Sequence, residues 1–197
     1  MVLAGVLVLA GGGFLAHRLA AGSSRAPASV VTATIHVGKS PAGVAVDGSA
    51  HTAYVANGDD GTVSVIDTRS NTVTATITVG TRPDGVAVDA ASHTAYVTNF
   101  NDGTVSVIDT RTNTVTATIT VGKSPAGVVV DEAAHTAYVT NGGGKPGTVS
   151  VIDTRTNTLT NTITVGKAPF DVAVDPTTGT VYVTNFNDGT VSVVSAR

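Results

Sequence analysis

The sequence predicts an all-β propeller of four four-stranded blades, and three observations predict it. First, Val37-Gly38-Lys39-Ser40-Pro41 returns as Val79-Gly80-Thr81-Arg82-Pro83, Val121-Gly122-Lys123-Ser124-Pro125 and Val165-Gly166-Lys167-Ala168-Pro169, at steps of 42, 42 and 44 residues. A period in that range marks helical arrays or propeller blades. Second, each unit holds four short runs rich in Val, Ile, Thr and Tyr, which suit strands, and none has helical periodicity. Third, all four tyrosines (Tyr54, Tyr96, Tyr138 and Tyr182) fall at one place in the repeat. A side chain kept in register through four copies is a packing element between them.

In chain order, residues 1–29 differ from the rest. Residues 2–16 carry no charge, His17 and Arg18 end the run, and a small polar stretch follows through Ala26-Pro27-Ala28. That is the layout of a signal peptide or of an N-terminal anchor, although a spanning helix needs about 20 apolar residues. Export to the periplasm, the cell surface or the medium is expected, with membrane anchoring through residues 2–16. Residues 30–197 form the repeat array, with units near 38–79, 80–121, 122–165 and 166–197.

The first unit shows how each element is written. Val44-Ala45-Val46 is a wholly apolar inner strand, Thr52–Val55 the second, and Thr62–Ile66 the third. In the fourth, Val73, Ala75, Ile77 and Val79 alternate with threonines, the pattern of a half-exposed strand. Asp47-Gly48-Ser49, Asn57–Gly61 and Asp67–Asn71 supply turns, because Asp and Asn bond their own backbone and Gly or Asn accepts positive φ. Residues 30–37 match a fourth strand, and residues 189–193 match a third. The N-terminal strand is therefore expected to complete the last blade and cover two free edges. The same arithmetic lets two chains close an eight-bladed ring as a homodimer.

Tyr96-Val97-Thr98-Asn99, Tyr138-Val139-Thr140-Asn141 and Tyr182-Val183-Thr184-Asn185 are intact copies of one tetrapeptide, and Tyr54-Val55-Ala56-Asn57 is a one-residue variant. By these motifs the chain resembles the YVTN-repeat β-propellers, from about Val30 onward. The resemblance implies an exported bacterial or archaeal propeller, close to the quinoprotein amine dehydrogenase β-chain and to lactonase-like propellers. Members commonly have seven blades, whereas this chain has four repeats.

Composition narrows function. Lys and Arg number 11 against 14 Asp and Glu, so no basic surplus grips duplex nucleic acid. The chain has no Cys, which excludes disulfides, thiolate metal sites and Cys nucleophiles. His51, His93 and His135 recur four residues after Asp47, Asp89 and Asp131, but one per blade and away from the axis. They read as polar turn residues, and Gly179 replaces them in the last unit. No metal site or cofactor is expected.

The loops leading into the first strand and those joining strands two and three share one face. Lys39, Arg82, Lys123, Lys145 and Lys167 gather there among carboxylates. Lys39, Lys123 and Lys167 at equivalent positions suggest a small-anion site on the axis, because like charges need a counterion between them. Subtracting the repeat leaves Asp84, the loop 142–146, Phe170-Asp171, Phe100 and Phe186 on the same face. A single ligand is rarely four-fold symmetric, so binding is expected where symmetry breaks. The expected function is a non-catalytic scaffold that takes a protein, glycan or small ligand on this face. The alternative is a lactonase-like or amine-dehydrogenase-β-like enzyme, although no nucleophile–base pair stands in a recognisable motif.

Overall fold

A computed structural model describes residues 29–195. The chain divides into Met1–Thr32 and Ala33–Arg197. The apolar segment 2–16, and with it the expected export and anchoring, lies outside the described residues. Among those described, no helix is long and apolar enough to cross a membrane.

The described chain is all β, with fifteen strands in four antiparallel sheets. The first sheet holds β1 (Pro41–Asp47), β2 (Thr52–Asn57), β3 (Thr62–Asp67) and β4 (Thr72–Thr78) in sequential order. The second holds β5 (Pro83–Asp89), β6 (Thr94–Asn99), β7 (Thr104–Asp109) and β8 (Thr114–Thr120). The third holds β9 (Pro125–Asp131), β10 (Thr136–Asn141), β11 (Thr148–Asp153) and β12 (Thr158–Thr164). The fourth holds only β13 (Pro169–Asp175), β14 (Thr180–Asn185) and β15 (Thr190–Ser195). These are propeller blades: β1, β5, β9 and β13 are innermost, and each packs against the next.

The turns explain the recurring polar residues. His51, His93 and His135 have φ near 52 to 54°, and Gly179 has 68° at the same place in the fourth blade. A left-handed residue is required there, which is why Gly substitutes for His. The His carbonyls also accept the N–H groups of Thr68, Thr110 and Thr154. After the third strands, Asp67 Oδ1 accepts the N–H groups of Arg69 and Ser70, both at 2.8 Å, and Arg155 and Thr156 bond Asp153 in the same way.

The recurring tetrapeptide has a division of labour. Tyr96 is fully buried, and its hydroxyl donates to Asn157 Oδ1 of the third blade at 2.9 Å. Val97 and Val139 are fully buried between blades. Thr98 Oγ1 accepts the Gly85 N–H at 2.8 Å and donates to Ala126 O at 2.7 Å, which ties the second blade to the third. Thr140 repeats this with Gly127 N–H and Phe170 O. Asn99 Oδ1 accepts the Gly80 N–H at 3.0 Å while its Nδ2 donates to Thr104 and Ser106. Its amide pins the loop entering the blade to the third strand. Glycine is required at Gly38, Gly80 and Gly122 because a Cβ there would lie 2.5–2.6 Å from the clamp asparagine.

Each hydrophobic cluster lies between two blades. One joins Tyr54, Val63, Val65 and Ile77 to Ala95, Val97 and Ile108; another joins Tyr96, Val105, Val107 and Ile119 to Ala137, Val139 and Ile152. The third joins Tyr138 and Val149 to Val172, Val181 and Val183. No comparable packing joins β13 back to β1. Val44 and Val46 of the first blade are 63% and 62% exposed, and Tyr182 of the last is 46% exposed.

Closure by the N-terminal strand is thus corrected. Residues 30–37 belong to no strand, the fourth blade keeps three strands, and the four blades form an open arc. The last junction also differs from the others in β13. In the first three blades the third residue of the inner strand is Gly43, Gly85 or Gly127. A Cβ on any of them would collide with the next blade's backbone, at Asp84 O, Ala126 O or Phe170 O. The fourth blade carries Asp171 at this place. A side chain therefore stands at the position where the other three inner strands have room for none.

Candidate functional site

The site is built on two loops that every blade hydrogen-bonds together. In the second blade the Phe100 N–H donates to Arg82 O at 2.9 Å, and Gly58–Ser40, Gly142–Ser124 and Phe186–Ala168 repeat that bond. Ser40, Arg82, Ser124 and Ala168 share a left-handed backbone, with φ from 49 to 54°. The backbone strain therefore belongs to the repeat; what varies is the side chain it carries.

Those variable side chains meet in one pocket of about 330 Å3. Arg82, Asp84 and Phe100 come from the second blade, and Pro169, Phe170 and Phe186 from the fourth. Between them the third blade contributes Gly142 and Gly143. Phe100 and Phe186 hold the position of Gly142 in their own blades, so the missing side chain leaves room between the two rings. Phe170 and Phe186 are 59% and 77% exposed, which leaves their faces open to a ligand.

Charge is placed on the rim. The Arg82 guanidinium lies 4.5 Å from the Phe100 ring centroid, within the range of a cation–π contact. Asp84 is half-buried at the start of β5. Burial pushes its carboxyl above the usual value, and the nearby Arg82 charge opposes that shift in part. Among the described residues its carboxylate takes no hydrogen bond and no ion pair.

Of the ten candidate residues, Arg82, Asp84, Phe100, Phe170 and Phe186 are brought together. Lys123 lines an adjoining depression with Phe100 and Asp102. Lys39 and Lys145 are exposed. The Lys167 ammonium lies 3.2 Å from Asp188 Oδ1, and its N–H bonds the same carboxylate. The Lys39 N–H likewise donates to Asp60. These pairings tie lysine-bearing loops to carboxylates of their own blade. Asp171 is exposed, and its carboxylate accepts the Val172 N–H. A depression of about 490 Å3 around Gly38, Asn57 and Asp60 has an equivalent of about 260 Å3 around Gly80, Asn99 and Asp102. Its recurrence makes it part of the scaffold. Among the described residues no cluster of three or more His, Asp or Glu is placed to hold a metal ion.

The carboxylates give two opposite pH effects. The Ser49 hydroxyl and then the Ala50 N–H hold Asp47 below its usual value; the Ser70 N–H does the same for Asp67, the Thr156 N–H for Asp153, and the Thr178 hydroxyl for Asp175. Lowered folded values add stability above the unfolded carboxylate range near about 3.9, and that stability is lost as the pH falls through them. Asp84 is raised, so its contribution has the other sign and is lost as the pH rises. Asp84→Asn is expected to stabilise the chain at pH 7 and to have no effect at pH 3. Urea denaturation at the two pH values checks this.

Three comparisons bear on this geometry. The family described as "Lactonase, 7-bladed beta-propeller" matches residues 108–197. That stretch contains Phe170 and Phe186 but leaves out Arg82, Asp84 and Phe100. No curated protein matches the sequence. Among solved structures, the hydrazine synthase of Kuenenia stuttgartiensis is 24% identical with a TM-score of 0.75, over 85% of this chain and 49% of that one. The chain therefore spans about half the length of that relative. These likenesses and the four radial sheets agree on one conclusion: the described chain has the β-propeller fold.

Proposed function

We propose that this protein is a non-catalytic binding scaffold of the YVTN-repeat type, exported from the cell, that holds its ligand on the loop face. The observation that carries the proposal is the meeting of Phe100, Phe170, Phe186, Arg82 and Asp84 in one pocket. Arg82, Asp84 and Phe170 each depart from their counterparts in the other blades, and Phe100 and Phe186 share a position that is glycine in the first and third blades. Scaffold positions repeat because the junctions repeat, whereas a pocket for one ligand has to be made by exceptions. About 330 Å3 lies at the small end of ligand sites, which start near 300 Å3. An aromatic ring, a sugar face or an apolar side chain of a partner has the size and chemistry to fill it. Export is supported by the uncharged run 2–16 and the small polar stretch after it.

Ligand-observed NMR with a panel of small aromatic compounds and methyl glycosides tests the reading. Binding is expected for at least one class and is expected to disappear in the Phe170→Ala/Phe186→Ala double variant. Both side chains are exposed, so the variant should fold. Unchanged binding in that variant moves the site elsewhere.

A second reading is a lactonase-like enzyme, after the match over residues 108–197; its acid–base residue comes from the second blade, outside that stretch. Asp84, half-buried and raised in pKa, is the one carboxylate lining the pocket and the natural candidate for acid–base work. A panel of simple lactones separates the two: the scaffold reading expects no hydrolysis above buffer, and turnover that Asp84→Asn abolishes supports the enzyme.

A further inference from the structure

Two opposite charges share the pocket rim and feel each other without closing into an ion pair. Arg82 and Asp84 are two residues apart, and both line the pocket. No ion pair within 4.0 Å forms between them. The guanidinium is engaged by the Phe100 ring at 4.5 Å, and the Asp84 carboxylate has neither a hydrogen-bond donor nor a cation against it. Half-buried carboxylates in apolar surroundings are costly to leave unpaired. Arg82 keeps its donors for an incoming carboxylate, a group its planar fork matches well. Beyond the charged rim lie Phe170, Phe186, Pro169 and Ala126, with no further charge.

A ligand complementary to this layout carries a cation and an anion side by side at one end and an apolar body at the other. We infer that the pocket binds a small zwitterion with an apolar body, a free aromatic or aliphatic α-amino acid. The ammonium goes to Asp84, the carboxylate to Arg82, and the side chain between the phenylalanine rings. The pocket volume supports a ligand of that size rather than a longer peptide. A ligand with one charge leaves either the guanidinium or the carboxylate without its partner. The inference rests on the binding-scaffold reading and adds the ligand class to it.

The test titrates the full chain, in mild detergent, with L-phenylalanine, L-phenylalaninamide, N-acetyl-L-phenylalanine and benzyl alcohol. The amide removes the carboxylate, the acetyl group removes the ammonium, and benzyl alcohol keeps only the ring. L-Phenylalanine is expected to bind at least about tenfold more tightly than each of the others, since a charge-assisted hydrogen bond is worth that much. Asp84→Asn is expected to erase the preference over the acetylated compound alone. Arg82→Gln is expected to erase the preference over the amide alone. The crossed pattern is a readout that general destabilisation does not produce. Equal binding of all four compounds, lost in the Phe170→Ala/Phe186→Ala variant, overturns the zwitterion and leaves the apolar pocket standing. Absence of binding for all four overturns the inference, and failure of the wider panel as well removes the scaffold reading with it.

Discussion

Replacing Tyr96 with Ala is expected to cost about 3–5 kcal/mol, and the same change at Tyr182 about 1 kcal/mol or less. The four tyrosines are equivalent in the repeat, so the contrast isolates what the following blade contributes. Tyr96 is fully buried among Val105, Val107 and Ile119 of its own blade and Ala137, Val139 and Ile152 of the next. Its hydroxyl bonds Asn157, and burial pushes the phenol pKa up to about 12. Removing the ring leaves a cavity between two sheets, along with an unpaired amide. Among the described residues no blade packs over Tyr182, which is 46% exposed, so water already fills much of the space an alanine would leave. Urea midpoints at unchanged m-value measure both changes. Equal losses would mean that the fourth blade is covered as the others are.

Gly85→Ala is expected to destabilise by about 3 kcal/mol, although it adds a single methyl group. Its new Cβ would run into the Ala126 carbonyl oxygen and come within 3.3 Å of Thr98 Oγ1 and the Val128 nitrogen. These are main-chain atoms of β9 and the hydroxyl that bridges the two blades, so the obstruction cannot swing aside. Either the inner strands separate or the Thr98 bridge breaks. Asp171 provides the internal control, because the fourth blade carries a side chain at this place with no blade beyond it. Asp171→Gly is expected to change stability by no more than about 1 kcal/mol. Thermal melts of the two variants side by side check the pair, and a large loss for Asp171→Gly would show that the last junction is occupied.

The blades were legible in the sequence because their causes are local. Val and Thr alternation, Asp- and Asn-rich turns and a fixed tyrosine register need no knowledge of partners. The grouping of Asp84, Phe100, Phe170 and Phe186 was legible for a related reason: on a symmetric scaffold, departures from the repeat on one face are near each other, and Arg82 joins them as a cation of the same face. Closure was misread because residues 30–37 have the pattern of a fourth strand, and pattern does not say which edge accepts it. Asp171 stands out in the sequence as an exception to the repeat. Its steric meaning depends on where the next blade's backbone would pass, which no spacing reveals. What each lysine faces is set within its own blade. Equivalent positions in a repeat are equivalent in their own blades, and Lys167 meets Asp188 of its own blade at 3.2 Å. The histidines carried a readable signal, since Gly179 in the fourth copy points to the positive φ that His51, His93 and His135 adopt.

The claim at the centre is that the repeat supplies the scaffold and its exceptions supply the binding site. A symmetrised chain tests it: Asp84→Ala, Phe100→Gly, Phe170→Ala and Phe186→Gly together, each giving a residue that another blade already has at that position. Affinity of this chain and of the parent for L-phenylalanine and the wider aromatic and glycoside panel is the measurement. The account predicts an intact β-rich spectrum and loss of binding. Retained binding in a folded symmetrised chain would contradict it.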